Sequence, residues 1–208
     1  MKQIAAPLLV VSIFFLGGST GLARYKIKDL NIKPAQEYVA HQDFQNLVIA
    51  AYDCDTEAKT LELFDTDKLH KREILPVLVV VENNNDFAIG IHERDFVLVT
   101  RDGTNLPSLP YASVLLHISL DKPLGSYSTQ QEMLLLKTVD KEMILDFEHK
   151  AFGEKLIAPD SSDSGVVFFM LPEKANLPGA RLYLPEIINF SDKTQLMFFE
   201  FELGRPQE

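Results

Sequence analysis

Ile74-Leu-Pro-Val-Leu-Val-Val-Val81 is followed by Asn83-Asn84-Asn85-Asp86, and then Phe87–Ile91 resumes the apolar pattern. An apolar run of eight residues rich in valine fits a strand better than a helix, because β-branched side chains pack well on a pleated surface. Pro76 inside the run cannot donate to a ladder, so it marks an edge, a bulge or the first strand residue. The asparagines tolerate left-handed backbone geometry, and the spacing predicts a hairpin through them. Working outward, Phe44–Tyr52 reads as an earlier strand and Phe96–Thr100 as a later one, closed by the turn Asp102-Gly103. Towards the C-terminus, Gly165–Leu171, Arg181–Phe190 and Thr194–Leu203 form three further runs. The last sets Met197, Phe199, Phe201 and Leu203 on one face and Glu200 and Glu202 on the other, the period of a half-buried strand.

A different period separates the two groups of strands. Ser128 with Gln131, and Thr129 with Glu132, form overlapping capping boxes. Leu136, Val139, Met143, Ile144, Phe147 and Ala151 then recur at steps of three and four, while Lys137, Lys141, Glu148 and Lys150 point elsewhere. The spacing predicts one helix over about residues 129–152, stopped by Gly153 and laid on an apolar surface of the sheets. Thr56–Phe64 reads as a short helical connection. Tyr111–Leu120 is open between a helical turn after Pro110 and another strand. The expected fold is therefore mainly β, an antiparallel β-sandwich with an α-helical insertion. One domain spans 41–205, the insertion 111–155, and residues 24–40 are a lead-in broken by Pro34.

Three stretches carry a family resemblance: Val77–Phe87 continuing through Ile91, Phe96-Val-Leu-Val-Thr-Arg-Asp-Gly103, and Leu156-Ile-Ala-Pro-Asp-Ser-Ser-Asp-Ser-Gly-Val-Val-Phe-Phe169. Over residues 44–104 and 155–203 the chain resembles secreted bacterial immunoglobulin-like β-sandwich domains of the telokin-like kind. It departs from them where Asp160 follows Pro159 in place of glycine, and in the helical region 111–155. The resemblance implies an immunoglobulin-like fold and an extracytoplasmic setting, and it carries over no catalytic residue.

The N-terminus points to the same setting. Lys2 precedes the apolar run Ile4–Leu16, and the small residues Gly17-Gly-Ser-Thr-Gly21 and then Ala23 follow. That order describes a secretory signal peptide cleaved after Ala23, so that the mature chain begins at Arg24. Leu16-Gly17-Gly18-Ser19 resembles a bacterial lipobox with serine at the position of the lipidated cysteine, which forbids a thioether lipid. The alternative is an uncleaved membrane anchor over residues 4–23, because Arg24, Lys26 and Lys28 crowd the far side.

Composition narrows the function classes. The 208 residues carry 20 Lys+Arg against 30 Asp+Glu, a formal net charge of -10 that repels a phosphate backbone, so no nucleic-acid partner is expected. One cysteine excludes an internal disulfide and any multi-cysteine zinc site. His41, His70, His92, His117 and His149 have no ligand spacing, and of the acids beside His149 only Asp146 shares its helix face. Asp53-Cys54-Asp55 and Asp65-Thr66-Asp67 lack the rest of a calcium loop and read as capping and exposed charge. Cys54 between two acids is held as a thiol and reads as a small buried hydrophobe. Ser161-Ser162-Asp163-Ser164-Gly165 lacks the glycine-flanked nucleophile elbow and reads as a polar turn feeding a strand at Val166.

No catalytic, cofactor-binding or metal residue is therefore assigned, and no cofactor is expected. The candidate contact residues are aromatic: Phe168, Phe169, Phe198, Phe199, Tyr111 and Tyr183. Adjacent phenylalanines in a strand point to opposite faces, so one ring of each pair lies under the helix or is exposed to a partner. The expectation is a non-enzymatic envelope binding or assembly module with a protein partner, periplasmic or secreted. A membrane-anchored accessory subunit and a hydrolase using a carboxylate pair are the alternatives. The intact mass of the exported chain distinguishes the exported module from the anchored subunit: a start at Arg24 is expected, and a full-length species in the membrane fraction would favour the anchor.

Overall fold

The computed structural model describes residues 24–120, 128–172, 177–196 and 198–204. The expected signal peptide or anchor, residues 1–23, lies outside them, as does Met197 of the last run. The chain is mainly β, with all strand pairs antiparallel and three sheets. The first sheet orders β1 (His41–Phe44), β2 (Leu47–Asp53), β3 (Ile74–Asn83) and β8 (Ser161–Met170). Facing it are two short sheets. One orders β10 (Ile188–Asn189), β4 (Ile89–His92) and β7 (Glu154–Ile157). The other orders β11 (Phe199–Glu202), β9 (Arg181–Leu184), β5 (Val97–Val99) and β6 (Asn105–Pro107).

The described residues also form five α-helices, α1 (Glu57–Leu63), α2 (Lys68–Lys71), α3 (Tyr111–Leu120), α4 (Thr129–Leu136) and α5 (Lys141–Lys150), and two 3-10 turns at Ala35–Glu37 and Glu93–Asp95. The ambiguous stretch is thus the helix α3, and the short connection is α1, capped by Thr56 Oγ1 on the Lys59 amide. Strand β3 decides the layering. Nine of its ten residues are buried, Glu82 being the exception. Leu75, Val77, Val79 and Val81 enter the core shared with the two short sheets. Ile74, Leu78 and Val80 enter a second core beneath the helices and the lead-in. An antiparallel sheet usually keeps one wet face; here both are dry, which is why β3 reads as a continuous apolar run.

Pro76 sits in this central strand, contrary to the expectation of an edge, a bulge or the first strand residue. Leu109 N bonds Phe168 O at 2.8 Å, so Phe168, opposite Pro76, turns its backbone away from β3. The missing amide therefore faces β2, whose ladder ends one residue earlier at Val77 opposite Asp53. Only the Pro76 carbonyl is used there, accepting the Cys54 amide at 3.0 Å. The reciprocal bond, from an amide at position 76 to Cys54 O, is replaced by the Thr60 hydroxyl, which donates to that carbonyl at 3.1 Å.

The expected hairpin through Asn83–Asp86 does not form. Asn83 is buried, and its Nδ2 donates to Phe87 O at 2.8 Å and Ala158 O at 3.1 Å, while its Oδ1 accepts the Asn85 amide. These bonds carry the chain across to the facing layer, where β4 pairs with β7 and β10 instead of β3. The hairpin at this end of the first sheet is β1 to β2, turned by Gln45 (φ 52) and Asn46 (φ 58), two left-handed residues in a tight turn. It extends the strand read at Phe44–Tyr52 into a pair. The Asp102-Gly103 turn closes β5 on β6 as the sequence indicates, with Gly103 at φ 87.

The single helix over 129–152 is two. The Ser128 and Gln131 capping box starts α4, but Asp140 Oδ1 accepts the Glu142 and Met143 amides and begins α5 afresh. Val139, Met143 and Phe147 still bury as the periodicity requires. Phe147 stacks on Phe64 at 4.1 Å and on Phe168 at 5.8 Å, joining α5 to the sheet. Ser161–Gly165 is the first half of β8, not a turn; the turn lies at Asp160, whose φ of 49 supplies the left-handed geometry of the missing glycine.

Beyond α5 the chain runs straight along β8, with Phe152 N bonded to Val166 O at 2.9 Å. Only a residue without a side chain fits opposite it: a Cβ on Gly165 would lie 2.5 Å from Phe152 Cα. Gly165→Ala is expected to lower stability by about 1–3 kcal/mol through overpacking against backbone. Urea unfolding measures it, and an unchanged midpoint would contradict this packing.

Candidate functional site

The edges of the sheets differ. Strand β8 ends the first sheet on one side, and over its second half the outer backbone is taken by Leu109 N on Phe168 O and Phe152 N on Val166 O. On the other side stands β1, whose four residues are all exposed. The hairpin closes on Phe44 opposite Leu47, and Ala51 N bonds Ala40 O, so the ladder uses the backbone of residues 40, 42 and 44. The amides and carbonyls of His41 and Asp43 therefore point outward. They have no backbone partner among the described residues.

Strand β11 is the edge of the facing sheet and runs alongside. Its Glu200 amide donates to Gln42 Oε1 at 3.1 Å, a side-chain link where a strand bond would otherwise stand. The two edges line an open groove of about 650 Å³. Phe44 is 42% and Phe198 56% exposed, which sets two aromatic rings at its rim. Asp43, Glu200 and Glu202 stand against one guanidinium, Arg181, which pairs with Glu200 at 2.7 Å. The groove is thus amphipathic and carries an excess of negative charge.

Of the aromatic residues named from sequence, Phe168, Phe169 and Phe199 are buried, and Tyr111 and Tyr183 are half-buried. Phe168 is the covered ring of its pair, under Phe147 and Phe64, and Phe198 is the exposed ring of the other. Phe44 is not among the aromatic candidates of the sequence, which places it only at the start of a strand. The Gln45-Asn46 turn beside it was the available signal.

The histidines lie apart. His41 lines the groove, with its Nδ1 on Tyr38 O at 2.6 Å; His92 Nδ1 accepts the Arg94 amide; His149 is exposed on α5. Among the described residues, no three His, Cys, Asp or Glu side chains could hold a metal ion together. Asp53 and Asp55 share the Lys59 ammonium at 3.1 and 2.7 Å, and Asp53 also receives the Gly204 amide, so Asp53 is a buried clamp on the C-terminal strand and not exposed charge. Cys54 is buried, and burial first, then the neighbouring Asp53, pushes its thiol up.

A buried polar cluster fastens the lead-in. The Tyr25 hydroxyl donates to Asp146 Oδ2 at 2.6 Å and accepts the Asp65 amide at 3.3 Å. Asp146 pairs with Lys150 at 2.6 Å, and Lys150 also donates to Leu63 O at 2.7 Å. Lys150 was expected on the solvated face of its helix. It is buried instead, because its ammonium has Asp146 one turn back and the Phe64 ring 5.2 Å away. Arg24 with Glu142 and Lys26 N with Asp65 flank the cluster. Burial pushes Lys150 down, and burial with the Asp146 hydrogen bond pushes Tyr25 up.

No protein-family model matches the chain, and no curated protein is significantly similar to it. Among solved structures it is similar to the yjhA protein from Bacillus subtilis, at 9% identity over 71% of this chain and 80% of that one, with a TM-score of 0.40. It is also similar to a candidate lipoprotein of Bacillus subtilis, ycdA, at 15% identity over 78% of this chain and 38% of that one, with a TM-score of 0.39. At such identities and scores neither likeness assigns an activity or a partner. No helix among the described residues is long and apolar enough to cross a membrane.

Tyr25 gives the lead-in clamp a pH signature. Its folded-state value is raised, so its contribution to stability is complete below the unfolded value of about 10 and is lost as pH climbs above it. Lys150, lowered, has the opposite sign but is present in both proteins compared. Tyr25→Phe is expected to cost about 1–3 kcal/mol at pH 7, since it strands a buried carboxylate oxygen. The difference from the parent should shrink by pH 11 in urea titrations. An equal difference at both pH values would remove Tyr25 from the cluster's energetics.

Proposed function

We propose that this chain is an exported, non-enzymatic immunoglobulin-like β-sandwich that captures an extended segment of a protein partner in the cell envelope. Residues 41–205 form its domain, and the helices of the 111–155 insertion serve to cover the first sheet. The segment lies between β1 and β11 and adds a strand to one of the two sheets. The observation that carries this reading is the contrast between the edges: β8 is covered by Leu109 and Phe152, while His41 and Asp43 present outward backbone groups beside Phe44 and Phe198. Natural sheets cover, twist or charge their edges to prevent pairing, so an open edge rimmed with aromatic rings marks a place where pairing is wanted. The negative excess of the groove selects a segment that alternates apolar with basic residues.

The N-terminal 23 residues address the chain to the envelope. Retained as an anchor, they would hold the domain through the fastened residues 24–28 with little slack, since Tyr25 and the Lys26 amide are bonded to Asp146 and Asp65.

A photoreactive residue placed at Phe198 in the full chain, with a second variant at the exposed Leu156 as control, tests the groove in producing cells. A discrete adduct from position 198, absent at 156, is expected, and Phe44→Asp should abolish it. Equal adducts at both positions, or none at 198, reject the reading.

A further inference from the structure

A second cavity, of about 350 Å³, lies where the lead-in crosses the outer face of the first sheet beside α1. Its floor is apolar, from Leu63 and Leu78, and both of these are buried. Two tyrosines line it, Tyr38 from the lead-in and Tyr52 from β2, with ring centroids 6.1 Å apart and planes inclined by 47°. Such a pair offers two π faces at an angle, the beginning of an aromatic cage. Glu62 of α1 accepts the Tyr52 hydroxyl at 3.4 Å. Asp29 and Glu37 also line the cavity, against the single ammonium of Lys33.

None of these three carboxylates forms an ion pair with a described residue, whereas Asp53, Asp55, Asp67, Asp95, Asp146 and Asp163 all do. The Tyr52 ring already attracts an ammonium within the protein: Lys59 Nζ stands 5.5 Å from its centroid. The hydroxyl of that ring is pushed up to about 12, by burial above all, so it stays neutral at physiological pH.

We infer that the cavity between Tyr38, Tyr52 and Glu62 binds an alkylammonium group, with its carbon chain on the Leu63 and Leu78 floor. The rings take the charged head by cation–π attraction, and the unpaired carboxylates neutralise it. An apolar floor and two rings suit an ammonium on a carbon chain better than a hard metal ion, which needs six or more oxygen ligands. A phosphate or carboxylate ligand is repelled by three acids against one lysine. The site is separate from the groove of β1 and β11 and shares none of its lining residues. The same chemistry comes from two sources, a free aliphatic amine or a lysine side chain on a polypeptide.

Tyrosine ring resonances of the full chain, followed by NMR during titration with cadaverine, test the inference. N-acetyl-lysine amide is the side-chain arm and 1-pentanol the uncharged arm. Saturable shifts with cadaverine are expected, weakened about tenfold or more in Glu62→Gln and weakened again by added salt. Saturation by N-acetyl-lysine amide identifies a lysine-bearing partner, and saturation by cadaverine alone a free amine. Glu62 is exposed, so its substitution leaves the fold intact, and the far-ultraviolet circular dichroism of the variant checks this. Equal response to pentanol and cadaverine, or an unchanged affinity in the folded Glu62→Gln variant, overturns the inference.

Discussion

The structure depends on the burial of β3 on both of its faces. A strand with Leu75, Val77, Val79 and Val81 on one side and Ile74, Leu78 and Val80 on the other must be covered twice. Each such side chain contributes about 1.5–3 kcal/mol when fully buried, so an uncovered face would forfeit several of these contributions at once. The first cover is the pair of short sheets, which brings β4, β5, β7, β9 and β11 over the inner face. The second is the helical layer with the lead-in, fixed by Phe147 and Phe64 on Phe168.

The two covers have different chemistry. The inner one is closed by apolar contact alone across much of its area. The outer one is built from helices and irregular chain, which bring polar groups with them. Tyr25, Asp146 and Lys150 meet this need by satisfying one another and Leu63 O in the interior. A buried pair of this kind is weak as a source of net stability, yet it is costly to break on one side only, so it fixes where the lead-in sits. The tyrosine cavity follows from that placement, since Tyr38 reaches Tyr52 only because the lead-in is held against the sheet.

The open side of the molecule follows from the same layering. At β8 the segment after α5 returns along the strand and closes the edge, which Gly165 permits by bringing no side chain of its own. Among the described residues no comparable segment passes β1, so the first sheet and the sheet of β11 end side by side with backbone groups turned outward. One edge of the first sheet is thus closed in part by the chain's own connections, and the other borders a groove.

Much of this was legible in the sequence. The period-two alternation of Phe199, Phe201 and Leu203 against glutamates gave a half-buried strand, and Asp102-Gly103 gave the turn that closes the Phe96–Thr100 run, because both signals are local. The pairing of phenylalanines could not say that Phe168 would be covered and Phe198 exposed. The break at Asp140 and the use of Asn83 as a crossing were misread, since a capping aspartate inside an apolar stripe and an asparagine before a strand each have two local meanings. The sequence by itself determined the apolar runs, the Asp102-Gly103 turn, the net negative charge and the lack of a second cysteine for an internal disulfide, all of which depend on residue identity and spacing. Only the tertiary structure decided which strands neighbour which, that Lys150 is buried on Asp146, and that Tyr38, Tyr52 and Glu62 line one cavity. Those contacts join residues far apart in the chain, and their energies depend on desolvation and distance, which no window of sequence contains.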